Sequence, residues 1–392
     1  MKKMLITGTA AMVSLAGLAH AQSSVNLYGL IDGGLTYTNN QITGTGGGHS
    51  NWQMTSGSAQ SSRWGLRGAE DLGAGLKAVF KLESGFNLNN GQYSSSNRIF
   101  NRQAYVGLSS RDYGSLTLGR QTDGMVDFVA PLSLTGTEFG GTPFAHPFDI
   151  DNLNDSFQIN NSVKYMSPEF AGVRIGALYG FSNQAGQFTN NRAYSFGLSY
   201  VWGAWNFGVG YLQLNSSART PGELNANGAV TDTTAASLQG ALSSTNVPVG
   251  VLANSQKTLG VGVNYAFGPA VVGFVYSQSS LEQFFQTGLS AHFQNFEGNV
   301  RYALTPVIEL SGAYTYSRAG GNGGGGVPHW NQVSAMADYR VSRRTDVYVQ
   351  GIWQGVSPSG TSPLGVAWIN GATAPSSTSN QVQATVGLRH RF

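Results

Sequence analysis

Short segments in which apolar residues alternate with small or polar ones are the feature that most constrains how this chain can fold. Trp64 and Leu66, for example, alternate with Arg63, Gly65 and Arg67, which is the period of a β-strand with two different faces. Seven pairs of such segments are each joined by a short turn: 62–68 with 76–82, 101–108 with 115–120, 162–165 with 173–179, 192–201 with 205–214, 258–267 with 270–277, 293–304 with 307–316, and 333–341 with 345–353. Longer loops join one pair to the next.

One further segment at each end of the chain, 25–34 and 382–392, brings the number of predicted strands to 16. An even number lets the first and last strands pair antiparallel, so that the sheet has no open edge. Alternation between short turns and longer loops is typical of bacterial outer-membrane barrels. The sequence therefore predicts an all-β fold, a 16-stranded antiparallel transmembrane β-barrel. We expect residues 35–61 to form a loop rich in Gly, Asn and Thr.

The composition argues against two other kinds of fold. After residue 21 the chain has no stretch of 18 apolar residues, which excludes a helical membrane span. A soluble β-sandwich would need large residues on its sealed face, whereas the second face here is mostly Gly, Ser, Asn, Lys and Arg. Charged residues make up only 10% of the chain, well below the roughly 25% of soluble domains. Cys is absent, so no disulfide or thiolate metal site is possible.

The first 21 residues have the pattern of a secretory signal peptide. Lys2 and Lys3 precede an apolar run at 4–18, and Ala19-His20-Ala21 matches a small-residue cleavage site. We expect cleavage after residue 21, which leaves a mature chain of residues 22–392 as a single barrel domain.

The segment 123–160 shows neither helical nor strand periodicity and has many turn-forming residues. It carries six of the 19 acidic residues of the chain and no Lys or Arg. A loop of this length inside a compact protein is usually functional or disordered. Our hypothesis is that it folds into a tube lined with basic residues and narrows it. The alternative is a solvated surface loop.

Several short motifs together resemble the trimeric general porins of Gram-negative bacteria over the whole mature length. They are Leu27-Tyr28-Gly29, Ser62 to Gly68, Glu70-Asp71-Leu72-Gly73, Gly107-Leu108, Gly114 to Arg120, Asn161 to Tyr165, Ser167 to Gly172 and the terminal Phe392. The resemblance implies a homotrimer in the outer membrane, in contact with outer-membrane lipid. It also implies passive diffusion of small hydrophilic solutes and ions, and no cofactor.

The resemblance further implies an inward-folded third loop that carries the acidic side of a narrow eyelet. Glu138, in Glu138-Phe139-Gly140-Gly141, takes the position of the eyelet acid, and Arg63 and Arg102 match the basic wall opposite it. The chain departs from the family pattern at Leu30, Leu134 and Asn160, where some members carry Lys, Asp and Arg. These departures make the eyelet less charged than in the most strongly selective members.

Parity within each strand, meaning odd or even position, extends this assignment. The basic wall is predicted to comprise Arg63, Arg67, Lys77, Lys81 and Arg102, and the acidic loop contributes Asp123, Asp127 and Glu138. Lys164 and Arg174 are weaker wall candidates. Arg120 has the parity of Leu116 and Leu118, which favours a position at a subunit interface. For any single wall residue, the alternative is a solvated interior side chain without a role in selectivity.

Two other functions can be weighed against a general diffusion channel. The chain has no Gly-x-Ser-x-Gly elbow and no His pair with metal-ligand spacing, so we expect neither an enzyme nor a metal site. A channel of the same barrel type with a preferred substrate, an anion or a sugar, is the second alternative, since Arg-lined pores can suit anions. Nucleic acid is not an expected partner.

Overall fold

The computed structural model describes residues 24–43, 47–94, 98–186, 188–215, 228–229, 255–284, 289–321, 326–358 and 364–392. The expected signal peptide, residues 1–21, lies outside the described residues. Within them the chain forms β1 (Ser24–Ile42), β2 (Gly48–Ser56), β3 (Arg63–Gly73), β4 (Leu76–Gly85), β5 (Gln103–Ser110), β6 (Gly114–Gln121), β7 (Ile159–Met166), β8 (Val173–Gly180), β9 (Arg192–Trp202), β10 (Trp205–Asn215), β11 (Ser255–Phe267), β12 (Ala270–Phe284), β13 (Leu289–Thr305), β14 (Ile308–Gly321), β15 (His329–Arg340), β16 (Thr345–Ser357) and β17 (Asn380–Arg391).

These strands close into an antiparallel barrel. From β3 onward each strand pairs with the next, and β17 pairs back with β1, where Leu30 lies opposite Arg391. The first half of β1 pairs with β3 and its second half pairs with β2. Thus β2 and β3 are the two parts of one interrupted strand, and the closed ring has 16 strands. The fold class and the seven hairpins predicted from the sequence are confirmed.

The prediction of a loop at residues 35–61 was wrong, because β1 continues to Ile42 and β2 follows it. Outward-facing Leu35 lies opposite Met54, and Tyr37 lies opposite Trp52. On the other face the Thr36 hydroxyl contacts the hydroxyls of Thr55 and Thr385 at 2.9 and 2.8 Å. Cross-strand threonine and aromatic pairs of this kind stabilise a sheet.

The strands separate apolar from polar side chains by parity. Leu35 on β1 and Val386 on β17 are 55% and 56% exposed, whereas Thr385 and Gln350 on the opposite face are 1% exposed. We call this second face, with its buried polar side chains, the polar face. Among the described residues, no helix is long and apolar enough to cross a membrane.

The connection between β6 and β7, residues 122–158, packs against the polar face of the far side of the barrel, and we call it the β6–β7 segment. It consists of irregular chain with short helical turns at Met125–Val129, Ala130–Leu132, Thr142–Phe144 and Pro147–Asp149. Its hydrogen bonds reach Ser195 on β9, Gln256 on β11, Glu297 on β13, Ser311 on β14, Gln332 on β15, Gln350 on β16 and Arg389 on β17.

The break between β2 and β3, residues 57–62, receives part of the β6–β7 segment. The Thr142 N–H donates to the Ser58 carbonyl at 3.0 Å. The break is itself held by the buried carboxylate of Asp32, which accepts from the N–H groups of Ala59 and Gln60 at 2.9 and 2.7 Å.

The position of Arg120 differs from its parity-based prediction. The pairing register of β6 with β7 shifts between Gly119 and Gln121, where two residue steps on β6 lie opposite three on β7, a β-bulge with its extra residue in β7. Arg120 is buried, and its guanidinium donates to the Asn101 carbonyl and to Gln158 at 2.8 and 2.9 Å. It therefore fixes the base of the β6–β7 segment, and its assignment to a subunit interface was wrong.

Candidate functional site

A cavity of about 260 Å³ separates the β6–β7 segment from the wall formed by β3, β4 and β5. The wall contributes the charged side chains of Arg63, Lys81, Glu83 and Arg102. The segment contributes mainly small and polar residues, one acidic residue and the apolar Val126, Ala130 and Leu153: the small, polar and acidic ones are Thr135, Gly136, Thr137, Gly141, Thr142, Asn154 and Asp155. The cavity is therefore lined mainly by polar groups, with a charged wall on one side and an irregular segment on the other.

Three of the five predicted wall residues line this cavity. Arg63 and Lys81 reach it through the parity of β3 and β4, whereas Arg102 lies just before β5, outside the regular alternation, since Gln103 is the residue opposite Glu83. The Arg102 Nε donates to Glu83 Oε1 at 2.8 Å, and its Nη2 reaches Asp155 Oδ2 at 2.5 Å. The Lys81 ammonium lies 3.2 Å from Glu83 Oε2. Arg63 is half-buried and donates to the Ser61 carbonyl at 3.0 Å.

Glu83 links these side chains to the barrel wall. Its Oε2 also accepts from the Tyr28 hydroxyl at 2.7 Å. Gly65, directly opposite Glu83 in the β3–β4 pairing, makes this contact possible. A Cβ on Gly65 would lie 2.7 Å from the Tyr28 hydroxyl oxygen, so a larger residue would displace the ring.

The other two predicted wall residues lie outside the cavity lining. Arg67 is four positions along β3 from Arg63, about 13 Å at the rise of an extended strand, and its guanidinium lies 5.1 Å from the centre of the Tyr28 ring. Lys77 is exposed at the end of β4, where it lies opposite Asp71 in the β3–β4 register. Of the weaker candidates, Lys164 is buried beside Asp127, and Arg174 is exposed 3.8 Å from Glu169.

The three predicted acidic residues also lie outside the cavity lining, and each has another partner. Asp123 is fully buried, where it accepts from the Met125 N–H and from Asn152, both at 2.7 Å. Burial raises the pKa of Asp123 to about 7, although these hydrogen bonds lower it. Asp127 forms an ion pair with Lys164, and Glu138 lies 2.6 Å from Arg391.

The carboxylates that do reach the cavity are Glu83 and Asp155, and neither was among the predicted site residues. Glu83 has the same parity in β4 as Lys77 and Lys81, so the alternation could have indicated it. Asp155 is one of the six acidic residues of the segment, but no local pattern distinguishes it from Asp123 or Asp127.

The β6–β7 segment is fixed to β13 by a buried charged cluster. His146 Nδ1 lies 2.6 Å from Asp151 Oδ2, and its Nε2 lies 3.1 Å from Glu297 Oε2. Ser277 donates to the same Asp151 oxygen. Burial lowers the pKa of His146, but the two carboxylates outweigh it and raise this pKa to about 10. His146 is therefore a cation at neutral pH and joins the segment to the barrel wall.

Comparison with known proteins agrees with this architecture. The chain is 38% identical over 247 residues to an outer membrane porin protein of Bordetella pertussis, a match covering 58% of this chain and 63% of that relative. The chain thus spans less than two thirds of the length of this curated relative.

Two solved structures share the fold. An anion-selective porin from Comamonas acidovorans superposes with a TM-score of 0.70 at 21% identity, over 94% of this chain and all of that one. OmpT of Vibrio cholerae in a trimer form gives a TM-score of 0.65 at 16% identity, over 94% of this chain and 99% of that one.

The family model described as Gram-negative porin matches residues 8–352, most of the chain. Together with the closed 16-stranded barrel, this match shows that the chain belongs to the Gram-negative porin family.

Proposed function

We propose that this protein is a passive diffusion channel for small hydrophilic solutes and ions across the outer membrane of a Gram-negative cell. The observation that carries the proposal is the polar cavity between the β3–β5 wall and the β6–β7 segment, inside a closed barrel with an apolar outer face. A passive channel needs only a hydrated path with a suitable width and charge. It requires no cofactor and no catalytic group.

The β6–β7 segment, in this proposal, folds into the barrel and narrows it. Its contacts with Glu297, Gln332 and Gln350 support this position, because all three are side chains of the polar face on strands far from β6 and β7. The segment then fills the side of the lumen next to β9–β17, and solutes pass along β3–β5.

Charge at the passage favours a weak preference for anions. The cavity lining holds three cationic side chains and two carboxylates, a formal excess of one positive charge (+3 − 2 = +1). Asp127 and Glu138 are paired with cations elsewhere, and Asp123 is buried. The acidic residues of the segment therefore offset less of the wall charge than their number suggests.

Single-channel recording of refolded protein in a planar bilayer, with a salt gradient, tests the channel function. We expect stepwise conductance and a reversal potential with the sign of anion preference. Correctly folded protein without conductance would contradict the proposal, because the β6–β7 segment would then seal the barrel.

The alternative of a substrate-preferring channel is tested by liposome swelling. A general diffusion channel should give swelling rates that fall smoothly with solute size for neutral sugars. A sugar or anion that permeates much faster than solutes of equal size would favour the alternative.

We also propose that the mature chain begins at residue 22 and assembles as a homotrimer. OmpT of Vibrio cholerae, an outer membrane protein with this fold, is described in a trimer form, and exposed apolar side chains such as Leu27 and Val106 can face either lipid or a neighbouring subunit. Mass spectrometry of outer-membrane protein gives the mature N-terminus, and light scattering in detergent gives the number of subunits. A monomer in mild detergent would count against the trimer.

A further inference from the structure

We propose that the width of the passage is set behind the β6–β7 segment, where glycines of β8–β11 let the segment lie directly against the sheet backbone. Met125, Phe128 and Leu132 are then positioning residues, which act on the passage through the position of the chain that carries them. The inference rests on the proposed channel function. It concerns the size limit for solutes and not the charge of the lining.

A row of glycines crosses β8–β11 on the polar face. The pairing register places its four members directly opposite one another on neighbouring strands: Gly176, Gly197, Gly210 and Gly260. Gly208 and Gly262, which also lie opposite each other, form a second row beside the first. Because glycine has no side chain, another part of the chain can approach the sheet backbone closely here. We call the two rows the glycine groove.

The first helical turns of the β6–β7 segment fill the glycine groove. The Phe128 ring covers Gly176 and Gly197, where an added Cβ would lie 2.9 and 2.1 Å from ring atoms. Met125 covers Gly260, whose Cβ position lies 2.4 Å from the Met125 Cε. Real Cβ atoms essentially never come within 3.0 Å of such neighbours. No side chain therefore fits between the segment and the sheet at these positions.

The second row contacts main-chain as well as side-chain atoms of the segment. A Cβ on Gly208 would lie 2.1 Å from the Phe128 carbonyl oxygen and 2.8 Å from Leu132 Cδ1. A Cβ on Gly262 would lie 2.9 Å from the same Leu132 carbon. The end of a side chain can rotate away from an added methyl group, but a carbonyl group moves only together with its chain. The backbone of the segment is therefore seated against that of β10.

The opposite side of the same turns lines the cavity. Met125, Phe128 and Val129 face the glycine groove and are each 3% exposed or less. Val126 and Ala130, from the same stretch of chain, belong to the cavity lining. Movement of this stretch away from β8–β11 would carry Val126 and Ala130 toward the wall formed by β3, β4 and β5. The depth of the groove therefore determines how much room a solute has.

Gly208→Ala tests the proposal in the full-length channel. Its methyl group should displace the segment by about 1 Å toward the cavity, since non-bonded heavy atoms pack at about 3.5 Å and only 2.1 Å is available. We expect a lower single-channel conductance in 1 M potassium chloride, where the screening length is only about 3 Å. In liposome swelling, the rate for a neutral disaccharide relative to that for a pentose should fall about twofold, because pore diameter limits uncharged solutes.

Three further variants keep the test decisive. Val126→Ala shortens a side chain of the lining and leaves the groove unchanged, so it should raise the conductance and offset the decrease in a double variant with Gly208→Ala. Gly262→Ala is a milder form of the same displacement, and it replaces Gly208→Ala if heat-dependent gel mobility shows that this variant does not fold. Gly298→Ala on β13 is the matched control, because a Cβ there meets nothing within 4 Å.

The outcomes separate this inference from the proposed function. A wild-type protein that does not conduct contradicts the channel itself. A wild type that conducts, with an unchanged or higher conductance in the folded glycine-groove variants, overturns the role assigned to the groove. An equal decrease in Gly298→Ala would also overturn it, since the effect would then follow from the loss of any strand glycine and not from the position of the segment.

Discussion

Arg63 and Arg102 line the same cavity, but their surroundings differ. Arg102 is held between two carboxylates, whereas Arg63 contacts an uncharged carbonyl group. An ion pair reduces the field that a charged side chain presents to a passing solute. The number of uncompensated charges therefore matters more for selectivity than the number of basic residues in the lining.

Arg63→Gln should lower the anion preference of the channel. The substitution removes a cation of the cavity lining that has no carboxylate at ion-pair distance within the described ranges, and we expect the anion-to-cation permeability ratio to fall about threefold in dilute salt. Arg67→Gln is the matched control, because Arg67 lies about 13 Å along the same strand. A reversal potential that Arg63→Gln leaves unchanged, or that Arg67→Gln changes equally, would contradict the assignment.

Asp123→Asn should leave the reversal potential unchanged, since Asp123 is fully buried. The pKa of Asp123 in the fold is raised from 3.8 to about 7. The fold therefore favours the protonated form of Asp123. The contribution of this group to the free energy of unfolding is complete below about pH 3.8 and is lost as the pH rises through about 7. Amide exchange of residues 122–158, corrected for intrinsic rates, should accelerate between pH 5 and 8 in the wild type. The variant should lack this part of the pH dependence.

Strand parity placed some site residues correctly but not others, for a physical reason. In a regular strand, position alone determines the face, so parity was sufficient to bring Arg63 and Lys81 to one cavity, whereas Arg102 precedes β5 and was assigned to the wall from the family resemblance. In the β6–β7 segment, the facing of each side chain depends on turns that have no repeating period. The sequence therefore identified the acidic segment but could not show that Asp155, and not Asp123, reaches the cavity.

At the scale of a single element, the end of β6 contradicts the prediction for Arg120, which is buried there. Gly119 has a φ of +142°, and a Cβ there would collide with the Ala104 carbonyl oxygen. Glycine is therefore required where β6 approaches β5 this closely, and Arg120, the next residue, donates to Gln158 at the base of the segment. Alternation along β6 does not reveal these partners, because Asn101 and Gln158 lie outside the strands.

Gly119→Val should reduce the yield of folded protein. The side chain would strain a backbone conformation that valine rarely adopts, and such strain costs about 1–3 kcal/mol. Gly298→Val is a matched control, because a Cβ at Gly298 on β13 meets nothing within 4 Å. Heat-dependent gel mobility of refolded protein gives the folded fraction. Equal yields for the two variants would show that position 119 tolerates a side chain.

His146→Gln should release the β6–β7 segment from β13. Removing the cation leaves Asp151 and Glu297 buried without it, and breaking a buried ion pair from one side costs about 3–5 kcal/mol. The pKa of His146 is raised above its ordinary 6.5 to about 10. The contribution of His146 to the free energy of unfolding is complete below about pH 6.5 and is lost as the pH rises through about 10.

Hydrogen exchange of residues 122–158 measures this effect. We expect protection in the wild type to fall near pH 10, and the His146→Gln variant to exchange fast already at pH 7. His292→Gln is the control, because His292 is an exposed residue on β13. Slow exchange in the His146 variant would mean that the remaining contacts are sufficient to hold the segment.

At the scale of the whole molecule, the barrel was predictable because its two environments impose a period of 2 on most strands. The second half of β1 and the whole of β2 escaped prediction. A break separates β2 from β3, and threonine, asparagine and glutamine occupy much of the missed stretch. The outward residues of these two strands do alternate with polar ones: they are Leu35 and Tyr37 on β1 and Trp52 and Met54 on β2. The signal was present, but the abundance of turn-forming residues outweighed it.

The break between β2 and β3 allows ion preference to change without a change in the position of the β6–β7 segment. The β6–β7 segment meets this break through main-chain atoms, with the Thr142 N–H on the Ser58 carbonyl. Main-chain contacts do not depend on which side chains face the solute. Mutations at Arg63, Glu83 or Asp155 can therefore accumulate without displacing this anchor, so that a lineage, or a protein engineer, can retune ion preference on one scaffold while the pore keeps its dimensions.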